Sequence, residues 1–194
     1  MLFRKEACIF SHNTDSCNKC KQQILTKMLP NMKNRGIFFT VLLWFLFLND
    51  VIAQPRQGQQ ATEIALPSVD GDTLLLSSLK GKVVLLDFWA SWCGPCRSSN
   101  RELKKLYPKY KNKGFEILGV SLDDELAKWK TAIAKDKITW LQVNDPGGWE
   151  AKTAMSWNIS AIPTSFLIDK EGKLVAMDLT GKELEKALKY LIDK

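Results

Sequence analysis

The sequence predicts an α/β domain in which a central mixed β-sheet is covered by helices on both faces. The run Val83–Trp89 is short, apolar and rich in β-branched and aromatic residues, which indicates a strand buried on both faces. Strand-like and helix-like segments alternate after this run. The pattern closes with a hairpin over residues 164–179 and an amphipathic helix, which completes the mixed sheet.

The first elements along the chain are a short hairpin and the helix that follows the buried strand. Residues 64–76 hold two short apolar stretches about an Asp-Gly turn, which predicts a β-hairpin. Apolar residues recur at helical spacing over residues 97–110, and Gly114 supplies a C-cap shortly after them. Pro108 falls inside this helix and leaves the position of its end open.

The later elements are assigned by the same patterns. We expect a strand over 115–122, a helix capped by Asp123 or Asp124, a strand over 138–143, a helix over 149–157, and a last helix behind a capping box at 180–183. The inner face of the second helix would carry Leu126, Trp129 and Ile133. The inner face of the last helix would carry an apolar stripe of Leu184, Ala187, Leu188 and Leu191.

The amino-terminal third divides into three segments before the domain at residues 63–194. Residues 32–53 have a basic start, a 13-residue apolar core over 36–48 and a small residue at Ala53, which is typical of a secretory signal peptide. The core is shorter than the roughly 20 residues that span a bilayer, so an uncleaved anchor is the weaker alternative. We expect cleavage after Ala53, a periplasmic or secreted product, and a flexible leader over 54–62.

We interpret residues 1–31 as a spurious extension, which results when an upstream start codon is chosen instead of Met32. The alternative is a metal site, because four potential ligands occur there: Cys8, His12, Cys17 and Cys20. Cys17 and Cys20 have ligand spacing, but the other two are loosely placed and no core pattern surrounds them. We therefore predict no metal site.

The charge distribution argues against nucleic-acid binding. The net charge is +7, but residues 1–53 carry seven Lys/Arg and three Asp/Glu, which leaves 21 and 18 for residues 54–194. Basic and acidic residues are interleaved there, and no basic stripe with aromatic platforms occurs.

Cys93 and Cys96 lie where the buried strand gives way to a helix, and we expect Cys93 to be exposed there. Unpaired N–H groups and the helix dipole at this point favour a negative charge, so a thiol there loses its proton more readily. A second cysteine one turn along can close a disulfide with the first. A purely structural bridge is the alternative, but such bridges usually close longer loops, and a two-residue spacing is easily exchanged.

Asp87 is the unusual residue of the buried strand, because a carboxylate there is costly to ionise and its pKa is expected to rise. A backbone or lysine partner that satisfies the carboxylate is the alternative. The region after residue 53 contains no histidine, which excludes a Cys–His pair.

The segment Asp87-Phe88-Trp89-Ala90-Ser91-Trp92-Cys93-Gly94-Pro95-Cys96 resembles the active-site segment of thioredoxins. Three further stretches, residues 79–82, 119–123 and 162–169, extend the likeness to the secreted TlpA/ResA-like branch of that superfamily over residues 63–194. The resemblance implies a thioredoxin-like fold with an amino-terminal β-hairpin, and a redox-active Cys93–Cys96 disulfide with no other cofactor.

The same resemblance implies roles for individual residues. Cys93 would attack a disulfide, Cys96 would resolve the resulting adduct, and Asp87 would carry the proton to and from Cys96. Pro163 would be a cis-proline beside the active-site loop. The implied substrate-binding residues are Trp92, Gly94, Pro95, Ile162 and Pro163.

The implied activity is that of an extracytoplasmic protein-disulfide oxidoreductase working as a reductase. Its partners would be disulfide-containing proteins and a membrane thiol donor resembling DsbD/CcdA, and we expect a monomer. Some positions depart from the pattern. Arg101 replaces a kinking proline, Ser99 replaces a glutamate, and Thr164 and Ser165 stand where the cytochrome c maturation branch often has a glutamate.

Two other function classes are alternatives to the reductase. A peroxiredoxin-like thiol peroxidase would need a threonine and a proline where Ala90 and Leu86 stand. A non-enzymatic copper or haem-thiol binding module is the second alternative. Copper carriers of this superfamily use a wider cysteine spacing and a histidine, and both features are missing here. The tryptophans Trp140, Trp149 and Trp157 are expected to serve packing in the core or loops.

Overall fold

The computed structural model describes residues 56–194. The segments expected over 1–31 and 32–53 lie outside this range, as do Cys8, His12, Cys17 and Cys20. Over the described residues, no helix is both long and apolar enough to cross a membrane.

A short hairpin opens the described part of the chain. Strands β1 (Ala65–Pro67) and β2 (Thr73–Leu75) pair antiparallel, as the Asp-Gly turn predicts. Gly71 has φ +98°, a backbone conformation that glycine adopts without strain. The preceding leader is less free than predicted: the amides of Gly58 and Ala61 donate to the carbonyls of Leu174 and Gly172. These bonds attach residues 58–61 to the domain.

The central sheet has five strands in the order β5-β4-β3-β6-β7, and it is mixed, as predicted. Its strands are β3 (Val83–Trp89), β4 (Phe115–Ser121), β5 (Leu141–Asn144), β6 (Thr164–Ile168) and β7 (Leu174–Met177). The β3–β4 and β4–β5 pairs are parallel, whereas β6 pairs antiparallel with both β3 and β7. Strand β3 lies at the centre with every residue buried, which confirms the prediction from its apolar run.

Alternate residues of β3 face opposite sides of the sheet, and each side has its own core. Val83 and Leu85 belong to a cluster that contains buried side chains of three helices. Val84 and Leu86 belong to a second cluster, formed with the segment around Ile64 and with the helix that precedes β6. Asp87 has the same parity as Val83 and Leu85, so strand geometry directs it to the three-helix side.

Residues 56–194 form four α-helices: α1 (Gly94–Tyr110), α2 (Leu126–Asp136), α3 (Lys152–Ser156) and α4 (Gly181–Asp193). Helix α1 begins three residues earlier than its apolar spacing predicts, and it continues through Pro108. Because Pro108 lies in the last turn, its missing N–H does not prevent the helix from reaching Tyr110. Gly114 adopts the left-handed conformation that was expected of a C-cap, although a short 3₁₀ turn separates it from α1.

Four local predictions are wrong in detail. Neither Asp123 nor Asp124 caps α2, because Glu125 is the N-cap residue, and its side chain makes no capping hydrogen bond. Leu126 is 53% exposed, so the buried face of α2 consists of Trp129 and Ala132. The third helix is shorter than 149–157, because a 3₁₀ turn occupies residues 148–150, and the strand expected over 138–143 forms over 141–144.

The last helix forms as predicted, and its inner face buries Leu184 and Leu188. The capping box is not made, because the Thr180 side chain forms no capping hydrogen bond. Instead, the Thr180 carbonyl accepts the N–H of Glu183.

Candidate active site

Cys93 and Cys96 form a disulfide at the junction of β3 and α1, with their Cα atoms 5.3 Å apart. Cys93 is the N-cap residue of α1, and the N–H of Cys96 donates to its Sγ over 3.1 Å. The first turn of a helix has no intrahelical acceptors for its N–H groups, so they point at whatever occupies the N-cap. The sulfur of Cys93 therefore lies in the position where a helix favours negative charge.

Cys93 is less accessible than its place in the sequence predicts. In the disulfide it is only 5% exposed, and Cys96 is fully buried. The expectation of an exposed Cys93 is wrong because the segment before β6 lies over the sulfur: the carbonyl oxygen of Ile162 is 3.8 Å from Sγ. The Ile162–Pro163 peptide bond is cis, as the resemblance implies.

Asp87 lies in β3 on the same side of the sheet as the disulfide and is 3% exposed. Burial, with a smaller contribution from the negative charge of Asp178, raises the pKa of Asp87 to about 7. Within residues 56–194 its carboxylate forms no hydrogen bond or ion pair, so the alternative of a lysine or backbone partner receives no support. The carboxylate borders a cavity of about 100 Å³ that Pro163 and Ser99 also line.

The substrate-binding candidates surround the disulfide from two sides. Trp92 precedes Cys93 and is 57% exposed, and Gly94 and Pro95 form the first turn of α1. Ile162 and Pro163 approach from the segment before β6. Pro95 and Pro163 line one groove of about 700 Å³, which continues between α1 and α4. The fold thus brings five residues, the outermost of which are 71 positions apart in the sequence, into one surface.

Trp149 belongs to this surface, and the sequence did not reveal it. It was expected to serve packing, as Trp140 and Trp157 do, but it is 48% exposed and its ring centroid lies 6.2 Å from that of Trp92. The loop before it is held in place because the Asp124 carboxylate accepts the N–H of Gly147 over 2.7 Å. Two exposed aromatic rings in edge contact therefore stand beside the reactive disulfide.

Asp123, expected as a helix cap, instead anchors the loop that leads into the disulfide. Its buried carboxylate accepts the backbone N–H and the hydroxyl of Ser91, over 2.8 Å and 2.6 Å. It also accepts the hydroxyl of Ser121 over 2.8 Å. Arg97 secures the other side of the loop, because its guanidinium pairs with Asp136 of α2 and donates to the Ser91 carbonyl. The position of Cys93 is thus fixed by buried polar groups.

No group of three or more His, Cys, Asp or Glu side chains that could hold a metal ion occurs within the described range. The site brings together two sulfurs, a buried carboxyl group and the backbone N–H groups at the start of α1.

The chain matches a family model described as Redoxin over residues 56–191. The thiol-disulfide oxidoreductase ResA of Bacillus thuringiensis subsp. konkukian is 33% identical over 137 residues, which cover 71% of this chain and 77% of the relative. ResA of Oceanobacillus iheyensis is 32% identical over 186 residues, which cover 89% of this chain and 95% of the relative.

Solved structures of thiol–disulfide oxidoreductases are also similar to this chain. The C-terminal domain of a putative thiol-disulfide oxidoreductase from Bacteroides thetaiotaomicron has 37% identity and a TM-score of 0.69, and covers 73% of this chain and 99% of its own. A putative thiol:disulfide interchange protein DsbE from Chlorobium tepidum has 36% identity and a TM-score of 0.62, with coverage of 72% and 96%. The chain therefore belongs to the redoxin family of the thioredoxin superfamily, as a TlpA/ResA-like thiol–disulfide oxidoreductase.

Proposed function

We propose that this oxidoreductase reduces disulfides of partner proteins outside the cytoplasm, through a mixed disulfide on Cys93. The observation that carries the proposal is the N–H of Cys96, which donates to Cys93 Sγ at the start of α1. In the reduced protein, a thiolate on Cys93 would accept the same N–H, and the helix dipole would stabilise its charge.

The first step is attack by the Cys93 thiolate on one sulfur of the partner's disulfide. A bond forms between Cys93 Sγ and that sulfur, the partner's S–S bond breaks, and the second partner sulfur leaves as a thiolate that takes a proton from water. Ile162 and Pro163 lie against Cys93 from the opposite side. The backbone of this segment is therefore placed to contact the partner chain beside its cysteine.

The second step resolves the adduct. Cys96 attacks Cys93 Sγ, the intramolecular disulfide forms, and the bond to the partner sulfur breaks. The partner sulfur leaves as a thiolate that takes a proton from water. The Cys96 thiol must lose a proton in this step, and we propose that Asp87 receives it through water in the adjoining cavity. A carboxyl group whose pKa lies near 7 suits this role, because it accepts and returns a proton with similar ease at neutral pH. The partner is then reduced, and the enzyme's dithiol is oxidised.

The substrate class follows from the surface around the disulfide. Trp92 and Trp149 present two exposed rings, which suit an apolar side chain near the partner's cysteine better than a small soluble disulfide. Each turnover leaves the enzyme oxidised, so in an oxidising compartment it needs a thiol donor. A membrane donor resembling DsbD/CcdA would fill this role, and the domain would act as a monomer.

The extracytoplasmic location is supported by the sequence of residues 32–53 alone. Mass spectrometry of the protein from intact cells and from the periplasmic or secreted fraction tests it. We expect a product that begins at Gln54. A full-length product that stays in the cytoplasm would contradict this part of the proposal.

Reduction of insulin by the domain of residues 54–194, with dithiothreitol as electron source, tests the activity. We expect turnover by the wild-type domain and none by Cys93→Ser or Cys96→Ser. Retention of turnover by Cys93→Ser would overturn the proposal. Consumption of hydrogen peroxide, with no reduction of insulin, would favour the peroxidase instead.

A further inference from the structure

A second carboxylate, that of Asp178, borders the cavity that holds Asp87. The cavity of about 100 Å³ lies between α1, β3, β6 and the connection from β7 to α4. This volume is large enough for ordered water, and the hydroxyl groups of Ser99, Ser165 and Thr180 provide partners for it. Asp178 is itself exposed, so the cavity has a buried carboxyl group on one side and a solvent-facing one on the other.

The backbone holds Asp178 in this place. Its φ is +51°, in the left-handed region that few side chains adopt, although aspartate tolerates it better than most. The N–H of Asp178 donates to the carbonyl of Ser165 over 2.8 Å, and its Oδ1 accepts the N–H of Ser165 over 2.8 Å. Ser165 is the direct cross-strand partner of Asp87 in the β3–β6 pair. The side chain of Asp178 is therefore fixed one strand away from Asp87.

No other charged group lines the cavity within residues 56–194. Helix α1 contributes Ser99 and Leu103, and β6 with the segment before it contributes Ser165 and Pro163. Cys96, at the start of α1, is held in the disulfide. Asp178 is thus the one charge that acts on Asp87 across the cavity, and a neighbouring like charge disfavours ionisation of Asp87.

We propose that Asp178 is a positioning residue that keeps Asp87 poised to give and take a proton in the step carried out by Cys96. The inference rests on the proposed function. When Cys96 attacks the mixed disulfide, the proton of its thiol passes to the Asp87 carboxylate. The reverse transfer occurs when the Cys93–Cys96 disulfide is opened by a donor thiol. Without Asp178, Asp87 would stay ionised to lower pH and would return the proton less readily.

The variant Asp178→Asn tests the proposal, because the amide removes the charge and keeps both the acceptor for Ser165 and the tolerance of positive φ. The titration midpoint of Asp87 is measured by ¹³C NMR of labelled aspartate carboxyls in the oxidised domain. We expect a fall of about half a unit to one unit, the size of a partly screened like-charge repulsion. Asp178→Gly, which suits the backbone conformation without any side chain, should lower it similarly.

A kinetic readout connects this effect to the reaction. A mixed disulfide is formed on Cys93 with a thionitrobenzoate group, and its release by Cys96 is followed between pH 5 and 9. Both Asp178 variants should move the pH dependence of release to lower pH, whereas Glu171→Gln, an exposed change on the β6–β7 turn, should leave it unchanged.

An unchanged Asp87 midpoint in both folded Asp178 variants overturns the proposal, as does an unchanged pH dependence of release. The NMR readout needs no substrate, so it distinguishes failure of this inference from failure of the proposed function. If the domain does not reduce insulin but the Asp178 variants still lower the Asp87 midpoint, the proposed reductase function is refuted, and the coupling between the two carboxyl groups is still supported.

Discussion

Removal of the Asp87 charge should stabilise the folded domain, although we propose that the residue takes part in the reaction. The pKa of Asp87 rises from its ordinary 3.8 to about 7 on folding, chiefly because the carboxyl group loses contact with water. A rise of about three pKa units corresponds to about 4 kcal/mol of lost stability once both states are ionised. The variant Asp87→Asn keeps the shape of the side chain and removes this penalty.

The sign of the pH dependence follows from the two pKa values. Below pH 3.8 the carboxyl group is protonated in both states, so it has no effect on stability. Between pH 4 and 7 the carboxyl group of Asp87 is ionised only in the unfolded chain. The wild-type domain therefore loses stability steadily as the pH rises. Above pH 7 the loss is complete. The gain from Asp87→Asn should therefore be absent near pH 4 and largest at pH 8.

Urea unfolding of the oxidised domain, followed by circular dichroism at pH 4.5 and pH 8, measures this gain. With a typical urea dependence of about 2 kcal/mol per molar, the unfolding midpoint of Asp87→Asn should lie up to about 2 M above that of the wild type at pH 8. Asp70→Asn, on the exposed turn of the first hairpin, is the matched control and should show no such difference. Equal midpoints at pH 8, or a less stable Asp87→Asn, would refute the assignment of an uncompensated buried carboxyl group.

Two further predictions concern residues that support the disulfide. Trp149→Ala should raise the KM for insulin about tenfold, because it removes half of the exposed aromatic pair, while the rate with a small aromatic disulfide should stay the same. Tyr190→Ala, an exposed aromatic change on α4, is its control, and an equal effect of both changes would contradict a specific contact. Asp123→Asn should lower the free energy of unfolding by about 2–3 kcal/mol, because the donors of Ser91 lose their charged acceptor. Urea unfolding measures this loss, and a change under 0.5 kcal/mol, about the size of a neutral surface substitution, would contradict it.

The central strand and the cysteine pair could be predicted because their signals are local. An apolar run of seven residues, Val83–Trp89, has few alternatives to a buried strand when helical spacing follows it. The place of Cys93 at a helix start follows from the same boundary. The resemblance added the cis bond before Pro163, and strand parity alone places Asp87 on the side of the sheet covered by α1 and α4.

The remaining features depend on contacts between distant segments. Asp123 lies near the start of α2, where an aspartate often caps a helix. Its carboxylate instead accepts hydrogen bonds from Ser91, which is 32 positions away in the sequence, and no local pattern predicts this contact. Cys93 is buried because the chain around Ile162 returns over it. Trp149 is exposed because the conformations of two preceding glycines and a bond to Asp124 turn its loop outward. Each outcome is set by tertiary packing, which composition and periodicity do not encode.

Trapping of the covalent intermediate tests the central claim most directly. The reduced Cys96→Ser domain is mixed with an excess of insulin, and the products are resolved by non-reducing mass spectrometry and peptide mapping. The proposed mechanism predicts a stable one-to-one adduct joined through Cys93, which dithiothreitol releases, and no adduct with the Cys93→Ser domain. Absence of the adduct from Cys96→Ser, or an equal yield of adduct from Cys93→Ser, would contradict the claim that Cys93 is the attacking sulfur.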